Sequence, residues 1–209
     1  MTIDKLDFKK SLASYRAKRG VFEVVEVPPM SYLMIDGRGD PNTSSQYAEA
    51  IASLFPVAYK IKFASKRELQ RDYVVPPLEA LWWADDMESF TAARDKSHWQ
   101  WTVMLMTPEW IPQEMFNGAV DQVRRSSSPP RLDEMRLAEL AEGLCVQTLH
   151  LGSFEDEAPV LESMHRDFIP AHGLGMSGKH HEIYLTDFRK VEAAKLRTIL
   201  RQPVVSRAG

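Results

Sequence analysis

The chain has 209 residues, 44% hydrophobic and 26% charged, with a formal net charge of −3. That balance excludes a disordered chain, and it lacks the basic excess that nucleic-acid binding calls for. A single cysteine, Cys145, excludes an internal disulfide framework and fits a reducing compartment.

The first segment, MTIDKLDFKKSLASYRAKRG, interleaves charge with apolar residues. It reads as neither a signal peptide nor a membrane anchor, so the cytoplasm is the expected location. Within it Leu6, Leu12 and Tyr15 fall at loosely helical spacing, which predicts a short arm packed on the body. FEVVEVPPMSYLMIDGRGDPN reads as two strands broken by Pro28-Pro29 and closed by a Gly/Asp/Pro/Asn turn. A capped helix follows, with Tyr47, Ile51, Leu54, Phe55 and Ala58 in one stripe. Pro56 is expected to bend or restart that helix. YVVPPLEALWWAD and HWQWTVMLMTPEWI are strands. Helices are expected at 112–125 and 132–142, split by the polar RRSSSPPR, which reads as a mobile surface connection.

The second half repeats the plan. GLCVQTLHLGSF is a strand, and EDEAPVLESMHRDFIPAHG is a helix with Val160, Leu161, Met164 and Phe168 on its apolar side. KHHEIYLTDF and KLRTILRQPVV are strands. LEALWWAD and HEIYLTD align on their final Asp, which pairs Trp82 with Tyr184 and Ala80 with Glu182. The expected fold is α+β: tandem βαββ repeats with pseudo-twofold symmetry forming one antiparallel sheet. Helices cover one face and a ligand groove lies on the other. The expected boundaries are an arm at 1–20, a first repeat at 21–110, a helical connection at 111–142 and a second repeat at 143–209.

Several motifs carry no chemistry. His180 and His181 are adjacent on a strand and point to opposite faces, so they cannot chelate one ion together. No metal or cofactor is expected. GLGMSG at 173–178 matches a dinucleotide pattern, but it follows a helix and leads into a strand, the reverse of the required order. The RGD at 38–40 is a turn. Cys145 lies mid-strand among apolar neighbours, where a thiol is inert.

The aromatic and acidic residues say more. All five tryptophans fall between Trp82 and Trp110. Trp82 and Trp83 point to opposite faces, so one enters a core and the other a groove, and the sequence leaves open which. Glu79 and Glu182 lie on strands beside these rings, and a buried carboxylate needs a reason. His180, Glu182, Tyr184 and Thr186 form a polar row on one strand face, either solvated or the wall of a cleft. In a cleft Glu182 would be desolvated and its pKa raised. It would then hold a cationic ligand with help from the tryptophans, or act as a general base beside the Tyr184 hydroxyl. His150 stands on a neighbouring strand, either as a contributor or as a hydrogen-bonded structural histidine.

The segments VEVPPMSYLMIDGRGDPN, PLEALWWADD, WQWTVMLMTPEW, VQTLHLGSFEDE and GKHHEIYLTDFRKVEAAKLRTILRQPV resemble the GyrI-like small-molecule-binding family in its free-standing form. The resemblance implies a tandem βαββ fold with a groove on the pseudo-twofold axis. Relatives include drug-sensing domains in which an acidic residue meets lipophilic cations, a role that maps onto Glu182. A free-standing branch is associated with hydrolytic opening of the cyclopropane in DNA-alkylating cyclopropanoids, within an aromatic cage. That likeness implies Trp82, Trp101 and Tyr184 as cage candidates with Glu182 as the acid/base group, so Glu182 and Tyr184 are the expected catalytic residues, and Trp83 stays open as the alternative to Trp82. Glu79, His150 and Phe168 complete the substrate-binding set. Ala80 and Ser153 depart from the family pattern, which has Gly and Pro there. Phe188 departs likewise, in place of Pro. All three are expected to touch turns and strand edges more than the cage.

The expected function is binding of lipophilic aromatic or cationic small molecules, with hydrolysis of cyclopropanoids as a detoxifying activity. The alternatives are a protein that sequesters drugs without turnover, and a protein-binding module suggested by the family's connection to DNA gyrase. The expected partner is a small molecule, with neither nucleic acid nor membrane involved.

Overall fold

The structure, a computed structural model, describes residues 4–84 and 96–207. Asp85 and Asp86, which end the segment PLEALWWADD, lie outside the described residues. The arm holds a short strand β1 (Lys5–Leu6), a helical turn α1 (Phe8–Ser11) and a 3-10 turn at Ala13–Tyr15. β2 (Glu23–Val27) and β3 (Met30–Arg38) flank Pro28-Pro29. The long helix α2 (Ser45–Ala64) leads through a π turn to β4 (Asp72–Tyr73), β5 (Leu78–Trp83) and β6 (Gln100–Thr107). α3 (Gln113–Ser126) and β7 (Arg136–Leu140) bridge to β8 (Gly143–Leu151). A composite helix, α4, begins at Ala158–Glu162, widens to π over Ser163–Phe168 and ends at Ile169–Ala171. β9 (Leu174–Met176), β10 (His180–Tyr184) and β11 (Arg197–Ser206) follow.

β1 pairs with β4 in a two-residue parallel contact that ties down the arm. The other strands form one antiparallel sheet in the order β2-β8-β11-β10-β5-β6-β3-β7, with β9 paired to β11. The segments β3-β6-β5 and β10-β11-β8 of this order meet where β5 pairs with β10. At that junction Glu182 lies opposite Ala80, His180 opposite Trp82 and Tyr184 opposite Leu78.

Val27 and Met30 are three residues apart and so within about 11 Å. Yet β2 lies at one end of the sheet and β3 beside the other. The sheet therefore curls until its ends approach. One face carries a single apolar cluster drawn from both halves, including Tyr32, Met34, Leu81, Met104, Leu149, Ile183 and Ile199, with Tyr15 of the arm among them. Sharing across so many strands marks this as the concave face. The convex face carries two separate clusters. Helices α2 and α3 cover Leu33, Ile35, Val103 and Leu105, while α4 covers Val146, Leu200 and Val204. Between the two helical covers a gap is left over β5 and β10.

Three local expectations are corrected. Pro56 sits inside α2 and does not restart it. Its missing N–H costs about 3 kcal/mol, and burial of Ile51, Leu54, Val57 and Ile61 in one stripe offsets that. The segment 132–142 is not a helix: a 3-10 turn at Leu132–Glu134 gives way to β7. β7 covers the otherwise open edge of β3, and Arg136 donates to both carboxylate oxygens of Asp36, at 2.8 and 2.9 Å. In GLGMSG, Gly173 at φ +67° stops α4 and Gly178 at φ +60° turns the chain, but the residues between them form β9. No described helix is long and apolar enough to cross a membrane.

Candidate functional site

A cavity of about 440 Å³ fills the gap over β5 and β10. The sequence reading puts the groove on the face away from the helices, and the structure puts the cavity on the helix face. The opposite face is unavailable because the arm and the shared apolar cluster fill it. Trp82 from β5 and Glu182 and Tyr184 from β10 contribute from the sheet. Tyr47 from α2 and Leu161 and His165 from α4 contribute from the helices. Phe154, Phe188 and Trp99 come from connecting segments, with Lys96, Glu157, Glu162 and Arg166 also in the lining.

The rings fall into two groups. Trp82 stacks on Tyr47 at 5.6 Å between centroids and meets Trp99 edge-on at 5.7 Å. Phe154, Tyr184 and Phe188 pack edge-to-face with one another at 5.6–5.8 Å. Such arrangements place the electron-poor edge of one ring on the face of the next. Phe188, expected away from the cage, belongs to it.

Glu182 is the carboxyl among these rings. Tyr184 Oη donates to Glu182 Oε2 at 2.8 Å, and Trp82 Nε1 donates to Tyr184 Oη at 3.2 Å. His180 Nε2 lies 3.7 Å from Glu182 Oε1. Burial disfavours the carboxylate and raises Glu182 to about 7, against the lowering influence of the neighbouring Tyr184 hydroxyl and Trp82 N–H. A carboxyl poised there both takes and gives a proton near neutrality. Burial raises the Tyr184 phenol well above its ordinary range, so it remains a hydrogen-bond donor. His165, nine-tenths buried, is lowered to about 4 by burial and is neutral in the pocket. Its π-helical segment runs into Pro170, which has no N–H for the preceding turn.

Among the sequence candidates, Glu182, Tyr184 and Trp82 meet in the cavity. The others do not. Trp83 faces the concave side, with Lys179 Nζ 3.2 Å from its ring centre. Trp101 is fully buried: its ring lies where a Cβ on Gly37 would sit, and Tyr47 covers it edge-on. Trp101 therefore belongs to the core, and Trp99 takes the place expected of it. Glu79 points to the concave face, where Tyr15 Oη donates to it and His181 Nε2 lies 2.9 Å away. His150 Nε2 is 3.0 Å from the Ser153 carbonyl, a structural contact. Phe168 packs on Phe22 and His172 within the α4 core.

Sequence reasoning missed Tyr47, Trp99, Phe154, Phe188 and His165 as pocket residues. Tyr47 belongs to the helical stripe of α2, whose spacing does not report that the sheet face beneath it is left partly uncovered. Phe154 and Phe188 lie in connecting segments, where no periodicity reports direction. Burial raises Cys145 to about 12, so its thiol is unreactive. Among the described residues no group of three or more His, Cys, Asp or Glu is placed to hold a metal ion.

The curled α+β sheet and its aromatic-walled cavity define a protein of the small-molecule-binding class. The chain belongs to the GyrI-like small molecule binding domain family, whose model matches residues 21–205. An uncharacterised conserved protein from Listeria innocua is 38% identical, with a TM-score of 0.86 over 96% of this chain and 100% of its own. A protein from the same organism described as a hydrolase is 37% identical, with a TM-score of 0.84 over 97% of this chain and 100% of its own. The C-terminal domain of EcmrR shares the fold alone, at 11% identity and a TM-score of 0.54 over 89% of this chain and 98% of its own. A search of curated proteins finds no match.

Proposed function

We propose that the pocket binds a flat, lipophilic aromatic molecule and hydrolyses a strained cyclopropane-containing electrophile held there, as a detoxifying activity in the cytoplasm. The observation that carries this reading is a carboxyl raised to about 7 inside an aromatic-walled cavity of about 440 Å³. The hydrolase description of a Listeria relative at 37% identity supports it.

Aromatic walls bind flat rings by stacking and area burial, and a cavity of this size takes a few fused rings. With the ligand in place, the ionised Glu182 removes a proton from a water as its oxygen attacks the cyclopropane methylene. The cyclopropane C–C bond breaks, and its electron pair moves through the conjugated ring to the carbonyl oxygen, which becomes a phenolate. As Glu182 takes up the proton it releases the Tyr184 hydroxyl, which then donates to that oxygen, and the proton on Glu182 returns to it through solvent. The net change is addition of one water. General acid–base help of this kind contributes about 10²–10⁴-fold.

The test is to incubate the purified protein with a cyclopropanoid and follow the hydrated product by mass spectrometry, with binding read by tryptophan fluorescence. Wild type should form product, and Glu182→Gln should bind with little change yet turn over at least about 100-fold more slowly. Equal slow conversion by both proteins removes the catalytic part, and binding without product leaves a sequestering protein.

A further inference from the structure

Behind the pocket, on the concave face, lies a set of buried charges that this chemistry does not use. His181 Nδ1 is 2.9 Å from Glu142 Oε1, and its Nε2 is 2.9 Å from Glu79 Oε2. A carboxylate only accepts, so both ring nitrogens donate and the ring is an imidazolium. Arg201 Nη1 donates to the other Glu142 oxygen at 2.8 Å, and its Nε donates to Gln147 Oε1 at 3.2 Å. Two cations thus face two anions, each side chain at most 2% exposed. A buried ion set of this kind adds little net stability over an apolar core, so its presence asks for a further role.

The arm seals the set. Tyr15 Oη donates to Glu79 Oε1, the Ser14 carbonyl accepts from Arg201 Nη2, and the Arg16 carbonyl accepts from Gln147 Nε2 at 2.8 Å. The arm precedes residues 21–205, the span that the family model matches. Glu79 and His181 stand on β5 and β10, the strands that present Trp82 and Glu182 on the other face. The Glu79–His181 bond is a diagonal link across that strand pair.

We propose that the arm and the Glu79–His181–Glu142–Arg201 cluster position Glu182 from behind, clasping β5 to β10 and holding a fixed positive charge on the far side of the strand. This rests on reading Glu182 as the working carboxyl of the pocket. His181 is the positioning residue and Tyr15 its outermost support. The charged and titratable groups around His181 are Glu79 on β5, Glu142 before β8, Arg201 on β11, Tyr32 on β3 and Tyr15 on the arm. Glu182 faces Tyr184, Tyr47, His180, His165 and Lys96 on the pocket side. Burial raises the Glu182 carboxyl, and the His181 charge opposes that rise.

The experiment is a carboxyl-¹³C NMR titration of the full chain, the Glu182 resonance being identified by its loss in Glu182→Gln. In wild type the inflection is expected at about 7. In His181→Gln the carboxyl should bind its proton roughly threefold to tenfold more tightly, moving the inflection up. Tyr15→Phe keeps every charge and removes one donor to Glu79, and it should shift the inflection the same way by less. A His181→Gln titration that overlays wild type overturns the proposal. If His181→Gln does not fold, an unmoved inflection in Tyr15→Phe overturns it instead. Variants that lose stability yet titrate as wild type reduce the cluster to a structural staple and also overturn it. The titration needs neither ligand nor turnover, so failure to detect hydrolysis leaves it standing, and an unmoved inflection leaves the pocket reading standing.

Discussion

Glu142 and Glu182 are buried carboxyls on opposite sides of one sheet, and their surroundings send them in opposite directions. Burial pushes both up. For Glu142, His181 and Arg201 reverse that and hold it down to about 2. Glu182 has a phenol and an indole nearby in place of two cations, and it rises to about 7. The concave face sets its charges against one another, and the pocket face keeps Glu182 available for proton transfer. Paired ions hold structure, whereas a carboxyl among aromatic rings is poised for chemistry.

The largest expected effect comes from breaking the paired side. His181→Ala strands two carboxylates beside Arg201 and should cost about 3–5 kcal/mol in denaturant unfolding. A loss below about 1 kcal/mol would mean the cluster relaxes without strain and that its charges do not depend on one another.

The same measurement on the pocket side should have the opposite sign. The unfolded Glu182 ionises near its ordinary 4.5 and the folded one near 7. Its contribution to stability is complete below 4.5 and is lost as pH climbs through 7. Glu182→Gln has no such loss, so it should be more stable than wild type by about 1–3 kcal/mol at pH 8, with the gap closing only below pH 4.5. A variant less stable than wild type at pH 8 would show Glu182 to be a structural ion like Glu142.

Smaller effects separate the tryptophans. Trp99→Ala removes a pocket wall and should weaken binding of a flat aromatic ligand roughly tenfold in a fluorescence titration. Smallest of all, Trp83→Ala lies on the concave side and should leave that affinity within about twofold. Equal losses from both would place the ligand somewhere other than over Glu182.

Much of this contrast was legible in the sequence. The alternation in HHEIY separates His181 from Glu182, and the alternation in LEALWW separates Trp82 from Trp83. The same parity sets Glu79 apart from Trp82, a signal sufficient to remove Glu79 from the groove. What covers each face was not legible. A period of two reports that side chains alternate, but it does not say which side the arm fills or where the helices leave a gap. Trp99 and Trp101 share parity, yet Trp101 is buried because Gly37, its partner on β3, has no Cβ in the space its ring fills. Phe154 and Phe188 reach the pocket from connecting segments, whose directions come from tertiary packing alone.

The most direct test of the pocket reading is a crystal structure of the protein with a flat aromatic ligand bound. The ligand's rings are expected between the Trp82–Trp99 wall and the Phe154–Tyr184 wall, with a polar atom within hydrogen-bond reach of Glu182. A ligand seated instead in the shallower groove between Phe116 and Met135, with the cavity over Glu182 unfilled, would contradict it.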